Sequence, residues 1–384
     1  MKRRTQICVG IALLGLLIGS CATTNEQQQN LDPVVVKMNT INDLIDKGYD
    51  YINNGLLNEA LDCFNNVIAE DETDFRAYTG SGYVFELSGM YNDAIDCYKK
   101  AISLFRDASF AYIHQGICLS ILGYYEEAIE CYNQAIRINP KDSMAYNNKG
   151  FVYDNLEQYD KSIECYDTAI SIKPNASSYY NKAWVLKTLL KWDEALECFN
   201  NAITLDSSKY EFYYEKGNTL YDLRNYEEAI KTYDKGISIA PDFAQFYYMK
   251  GCSYLLLDNI DECLKNFYLL ANLEPEKEEI KTAIEQLETV KTYKDKIAHN
   301  GESSEINNAI GTAFATIDMH DFAVDYFDKA ITLEPSNLTS YFNKVVSLYF
   351  MSSYEEANST LEKILELDPD NQDALNFIEL IKTL

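Results

Sequence analysis

Residues 145–175, AYNNKGFVYDNLEQYDKSIECYDTAISIKPN, decide the fold. Tyr146, Gly150 and Tyr153 recur at offsets of four and three, which puts them on one face of a helix. Ile163, Tyr166, Ala169 and Ile170 do the same a turn later. The polar pair Glu157-Gln158 separates the two patterns, and Pro174 stops the second, because a proline ring cannot continue a helix. Gly150 and Ser162 are small where the two helices have to cross closely. A hairpin of this size cannot bury both apolar faces alone, so it needs neighbours.

The neighbours are copies of itself. Stepping by about 34 residues from Gly150 reaches Gly116, Gly82 and Gly48 in one direction and Ala183, Gly217 and Gly251 in the other. After an interruption the step continues at Gly311 and Val345. The small residue twelve positions later recurs as Ala60, Ala94, Ala128, Ser162, Ala195, Ala229, Cys263, Ala323 and Ala357. The closing residue is Pro140, Pro174, Pro241, Pro275, Pro335 and Pro369, with Glu72, Arg106 and Ser207 in its place in three copies. This order of aromatic, glycine, aromatic, alanine, aromatic, alanine and proline resembles the tetratricopeptide repeat family over residues 41–369. The resemblance implies an all-α chain, a right-handed superhelical solenoid of antiparallel helix pairs. It implies little about function, since such arrays serve many unrelated processes.

A solenoid escapes the usual expectation of two or three domains for 384 residues, because each repeat buries its surface only against its neighbours. Aromatic residues make up 13% of the chain and prolines number only 7, which suits stacked helices. The net charge of −27 argues against nucleic acid as a partner, since phosphates would be repelled. It serves a solvated outer face, or a basic partner.

Residues 1–20 read as a lipoprotein signal peptide. Lys2, Arg3 and Arg4 form a positive start, and the apolar run from Ile7 to Leu17 is too short to span a bilayer. Leu17-Ile18-Gly19-Ser20-Cys21 is similar to the lipobox of bacterial lipoproteins, which implies cleavage before Cys21 and palmitate-type lipid on it. The chain is then exported and held at a membrane of the bacterial envelope, on its periplasmic or surface side. A mature chain starting at Cys21 loses three basic residues and carries −30. Residues 21–38, rich in Gln and Asn at their start, read as a flexible polar tether.

Seven repeats are expected over residues 39–275. Residues 276–303 exceed the period by about 26 residues, and Ile280, Ile284, Leu287, Val290 and Ile297 mark an amphipathic spacer helix. Two arrangements stay open, a helix packed on the seventh repeat or a hinge. Two further repeats follow over 304–369. Residues 370–384 are expected to cap the stack, with Leu375, Ile378 and Ile381 inward.

Chemistry-bearing residues do not converge. Cys63, Cys97, Cys131, Cys165 and Cys198 share one repeat slot, and neighbours in that slot lie about 8–10 Å apart, beyond the roughly 7 Å a disulfide spans. They read as small buried hydrophobes. His114, His299 and His320 belong to no metal-ligand set, and Gly80-Ser81-Gly82 falls inside a helix rather than after a strand. No enzyme activity, cofactor or metal is expected.

The resemblance places the first helix of each repeat on the concave side, and its outward slots define the candidate partner-binding surface. These are Tyr83, Asn147, Asn148, Phe151, Asp154, Tyr180, Asn181 and Trp184, then Tyr214, Asn218, Tyr221 and Tyr248. Rings offer contact area at little entropic cost, and Asn amides pair with peptide backbone through donor and acceptor. Some of these rings, notably Phe151 and Trp184, would serve equally as packing between first helices. Relatives that grip C-terminal carboxylates use Lys, Arg and Asn here. This chain places Asp46, Glu86, Asp154, Glu211 and Glu215 in corresponding slots, with Arg76 and Lys187, so a neutral or basic segment fits better. The expectation is a protein or peptide partner bound by a scaffold, either a monomer or part of an envelope complex. The alternative is a receptor-like module that captures a soluble peptide or basic protein. Known lipoproteins built from these repeats assist outer-membrane protein insertion or pilus assembly, and the sequence selects neither role.

Overall fold

The computed structural model describes residues 33–382, which form twenty α-helices and no strand. They fall into two units. In the first, α1 (Pro33–Asn53) pairs with α2 (Leu57–Glu70), α3 (Phe75–Leu87) with α4 (Tyr91–Leu104), and α5 (Ser109–Ile121) with α6 (Tyr125–Ile138). The pairs α7 (Ser143–Asn155) with α8 (Tyr159–Ile172) and α9 (Ala176–Thr188) with α10 (Trp192–Leu205) complete it. In the second unit, α11 (Tyr210–Asp222) pairs with α12 (Tyr226–Ile239) and α13 (Ala244–Leu256) with α14 (Ile260–Leu273). The long α15 (Glu278–Asn300) follows alone. Then α16 (Ser304–Thr316) pairs with α17 (His320–Leu333), α18 (Leu338–Phe350) with α19 (Tyr354–Leu367), and α20 (Gln372–Lys382) ends the described chain.

The residues that define the repeat also set its packing. Ser162 Oγ donates to the Gly150 carbonyl at 2.8 Å, which locks α7 against α8 at the crossing. A Cβ on Gly150 would lie 2.9 Å from the Tyr166 ring, so the glycine is needed for close approach. A large side chain of each second helix fills the space below that small residue: Phe64, Tyr98, Tyr132, Tyr166, Phe199, Tyr233, Phe267 and Phe327, with Leu361 in the last pair, are all buried. Lysines then tie a first helix to the second helix before it, with Lys182 to Asp167 and Lys250 to Asp234 at 2.6 Å and Lys344 to Asp328 at 2.9 Å.

In the first unit consecutive first helices approach one another, α1 with α3, α3 with α5, α5 with α7 and α7 with α9. Consecutive second helices come less close, so the first helices form the tighter, inner layer. The same holds for α11 with α13 and α16 with α18 in the second unit.

Three expectations meet the structure at particular residues, and a fourth falls beyond them. The signal peptide, Cys21 and the tether up to residue 32 lie outside the described residues. Residues 33–38, read as tether, are helical, because α1 starts at Pro33; a first-turn proline loses no helical hydrogen bond, and the Val34–Met38 run contains no turn former. The spacer is one continuous helix, α15, which packs on both α14 and α16. Its Ile280, Ile284, Leu287 and Val290 join an apolar cluster running from Ala244 to Phe327, so within this unit it bridges and does not hinge. On α20, Ala374 and Ile381 are buried but Leu375 is 40% exposed. The inward stripe starts one residue earlier than the sequence suggested, and Leu375 is rotated about 100° off it, as 3.6 residues per turn requires.

Candidate functional site on the inner layer

The inner layer of the first unit carries a connected set of amides between α7 and α9. Asn175 caps α9 by accepting from the Ser178 backbone N–H at 2.8 Å, which fixes where the first turn of α9 meets α7. Ser178 Oγ then donates to Asn147 Oδ1 at 2.9 Å, and Asn181 Nδ2 donates to the same oxygen at 3.3 Å. Asn147 Nδ2 reaches Asn148 Oδ1 at 3.5 Å. The chain of amides leaves Asn148 Nδ2 as a donor and Asn181 Oδ1 as an acceptor with no partner among the described residues. Both side chains are half-buried, so their orientation is held while their outer ends stay reachable.

Rings flank the amides. Trp184 Nε1 donates to Tyr180 Oη at 3.0 Å, Tyr180 packs edge-on against Phe199 at 5.9 Å, and Lys187 lies 5.5 Å over the Trp184 ring. Phe151 is half-buried and its carbonyl accepts from Asn155 Nδ2 at 2.8 Å. Asp154 is half-buried on the same helix. Tyr83, on α3, meets Phe110 at 5.8 Å and His114 at 5.2 Å, both edge-on.

The second unit brings together a different set. Tyr214 packs edge-on against Phe243 at 5.2 Å and Phe246 at 5.7 Å. Asn218 Oδ1 accepts from the buried Tyr233 hydroxyl at 2.9 Å. Tyr221 packs on Tyr226 at 5.4 Å, and burial pushes its phenol far above the ordinary range. Tyr248 stays 45% exposed, and the neighbouring Cys252 thiol together with burial holds its phenol up at about 12. Tyr214 and Asn218 thus spend much of their surface on their own unit, whereas Tyr248 is presented.

Three slots differ from their sequence reading, and one is Glu215, a supposed groove acid that is only 8% exposed on α11. Glu86 is not an exposed groove acid: it is 8% exposed and accepts from the Tyr98 hydroxyl at 2.8 Å and from His114 Nδ1 at 2.9 Å. His114, outside every ligand motif, is buried with it and stacked under Phe110 at 4.0 Å. Repeat register does place position 86 beside position 114, and the His114 ring with the buried Tyr98 hydroxyl explains why an acid is tolerated there. Arg76 is held by Asp74 and by Asn42 Oδ1 at 2.7 Å, so it is no free anchor.

Among the described residues no three His, Cys, Asp or Glu side chains could hold a metal ion, the cysteines are free thiols, and no helix is long and apolar enough to cross a membrane.

Stacked antiparallel helix pairs with a tighter first-helix layer define a helical-repeat protein. Family models described as tetratricopeptide repeat match residues 143–175, 210–243, 75–107, 176–209 and 338–371, and one described as TPR repeat matches 121–157. The chain therefore carries tetratricopeptide repeats. No curated protein matches it. Solved structures similar to it include YrrB, a TPR protein with an unusual peptide-binding site, at 22% identity over 47% of this chain and 94% of that one, TM-score 0.42. MamA is 23% identical over 44% of this chain and 93% of that one, TM-score 0.41. PilF of Pseudomonas aeruginosa is 19% identical over 55% and 96%, TM-score 0.48.

Proposed function

We propose that this chain is a non-enzymatic protein–protein interaction scaffold, tethered to a membrane through lipid on Cys21, whose inner layer takes a segment of another protein. The observation that carries the reading is the amide chain across α7 and α9. One open donor on Asn148 and one open acceptor on Asn181 complement a peptide unit, and Trp184 and Tyr180 supply area beside them. Tyr248 gives the second unit a presented ring of its own. The acidic balance of the chain favours a neutral or basic segment, which also keeps the receptor-like reading in play: a soluble basic peptide would bind with strong salt dependence.

The test is a crosslinked pull-down from membrane fractions, read by mass spectrometry, with lipid on Cys21 assayed on the same sample. The partner should be lost in the double variant Asn148→Ala with Asn181→Ala while helicity is unchanged. Unchanged recovery in that variant sinks the amide site, and an unmodified Cys21 with only soluble companions sinks the tether.

A further inference from the structure

The amide wiring of α7 and α9 occurs a second time, in the other unit, between α16 and α18. Asn337 caps α18 by accepting from the Ser340 backbone N–H at 3.2 Å, as Asn175 caps α9. Its own Nδ2 reaches back to Ser304 Oγ at 2.9 Å. Ser340 Oγ donates to Asn308 Oδ1 at 3.1 Å, and Asn343 Nδ2 donates to the same oxygen at 3.0 Å. Ser178, Asn181 and Asn147 make the same bonds in the first unit. The serine is the deciding residue. Its slot holds Ala77, Ala111, Ala145, Phe212 and Phe246 at the other junctions between successive pairs, and none of those side chains can donate.

The two sets differ in what they leave open. Asn148 takes up the Asn147 amide nitrogen in the first unit, whereas the equivalent position in the second is Ala309. Asn308 Nδ2 therefore stays an open donor among the described residues. Asn343 spends its Nδ2 on Asn308 and, at 3.5 Å, on Thr312 Oγ1, which leaves its Oδ1 an open acceptor. Both side chains are half-buried. We infer that α16 and α18 form a second station, independent of the α7–α9 amides, for an extended and uncharged polypeptide segment. It rests on the same reading of neighbouring amides as the complement of a peptide unit. The surroundings set the chemistry of the segment. Asn343, Val346 and Phe350 follow at offsets of three and four, along one face of α18. Val346 is 40% exposed and Phe350 is 65% exposed, and stacking on His320 at 5.0 Å already orients the Phe350 ring. The register positions of Trp184 and Phe151 hold Val346 and Thr312 here, so this station suits an aliphatic side chain. The charged residues of the two helices are Glu305, in the first turn of α16, and Lys344, tied to Asp328 and Glu356 at 2.9 and 3.0 Å. A segment on Asn308 and Asn343 is thus held by main-chain hydrogen bonds and apolar contact rather than by ion pairs.

The test reads this station directly in the full chain. Phe350 is replaced by 4-fluorophenylalanine, and its fluorine resonance is followed as a blocked peptide of alternating valine and serine is added. The resonance should shift saturably. The same peptide methylated on its backbone nitrogens should not shift it, because it has no N–H to give Asn343 Oδ1. Asn308→Ala with Asn343→Ala should weaken the peptide about tenfold or more, the loss expected for two hydrogen bonds, with helicity unchanged by circular dichroism. Should that variant not fold, Asn343→Ala alone keeps the Ser340 bond to Asn308 and serves in its place. Asn148→Ala with Asn181→Ala should leave the Phe350 response as it is. The second station is overturned by the absence of a saturable shift up to the solubility of the peptide, by an equal shift from the methylated peptide, or by unchanged affinity in the Asn343 variants. Unchanged partner recovery in Asn148→Ala with Asn181→Ala sinks the first station alone, so either reading can fail without the other.

Discussion

Gly236→Ala should destabilise the protein, against the ordinary sense of that substitution in a helix. Gly236 lies inside α12, where exchanging Gly for Ala normally gains about 0.8–1 kcal/mol through helix propensity. Here the added Cβ would fall 2.1 Å from Phe246 Cζ and 2.4 Å from Cε1, against a comfortable carbon–carbon separation of about 3.5–4.0 Å. Phe246 is fully buried and cannot simply yield. Phe243, Tyr214, Tyr233 and Tyr210 stand around it at 5.3, 5.7, 6.1 and 6.4 Å between ring centres. Overpacking a tight core costs roughly 1–3 kcal/mol, and a displacement of this size belongs at the upper end, so the net loss is about 2 kcal/mol. For a unit of this length that lowers Tm by about 4–8 °C. The comparison with other repeats sharpens the test, because the same two slots hold Ala101 with Ala111 and Ala135 with Ala145, all fully buried. In a Phe246→Ala background, itself costing about 3–5 kcal/mol, Gly236→Ala should recover its propensity gain. The cycle, measured by urea denaturation with circular dichroism, should then show about 3 kcal/mol of coupling. Stabilisation by Gly236→Ala alone, or additivity of the two substitutions, would refute the reasoning.

Three further outcomes follow, one from a turn residue and two from the buried thiols. Leu190 takes the left-handed backbone at φ 59°, in the turn slot where Gly55, Gly89 and Gly123 sit, and its side chain is 66% exposed. Leu190→Gly should therefore stabilise the fold by about 0.5–1 kcal/mol, read as a higher urea midpoint, once left-handed strain of roughly 1–2 kcal/mol is set against glycine's entropy; no gain would mean the turn is not strained. Burial pushes the Cys97, Cys165 and Cys198 thiols up to about 11, which at pH 8 cuts their thiolate fraction roughly 200-fold against a free thiol. Even with the greater nucleophilicity of basic thiolates, a thiol reagent should label them at least about tenfold more slowly than the urea-unfolded chain. Their folded values lie above the unfolded one, so the stability they contribute is whole below about pH 8.5 and drains away as pH rises toward 11. The urea midpoint should fall across that window, and a flat profile would contradict it.

The helix pairs were legible from sequence because their marks are steric. A small residue recurring beside an aromatic sixteen positions later, as Gly150 with Tyr166, states a contact that the structure shows ring against Cα. The spacer's stripe was legible for the same reason, since period and apolarity alone define it. Leu375 was misjudged because a short terminal helix offers too few turns to fix the phase of its stripe. The turns were opaque in another way. Glu157, Arg224, Asp258, Asp318 and Ser352 adopt the left-handed conformation of the glycines, a demand the repeat imposes on whatever residue falls in the slot.

The inner layer was the least legible part, and the reason lies behind it. Where the second helix carries phenylalanine, as at Phe64 and Phe199, the ring is satisfied by packing alone, and the first helix above it need supply no polar group. Where it carries tyrosine, the buried hydroxyl calls for a partner, and at two of the four such tyrosines the partner comes from the inner layer: Glu86 for Tyr98, Asn218 for Tyr233. A side chain that looks like a groove contact in the sequence can thus be committed inward. Asn218 is half-spent on Tyr233 in this way, and Glu86 is spent on Tyr98 and His114. The amides of Asn148 and Asn181 keep open ends because the bonds that hold them run along the layer, from Ser178 and Asn147, rather than down into the core. At Tyr98 and Tyr233, one oxygen atom on the hidden helix therefore decides how much of Glu86 and Asn218 is left to meet a partner, and a residue list drawn from first helices alone cannot register it.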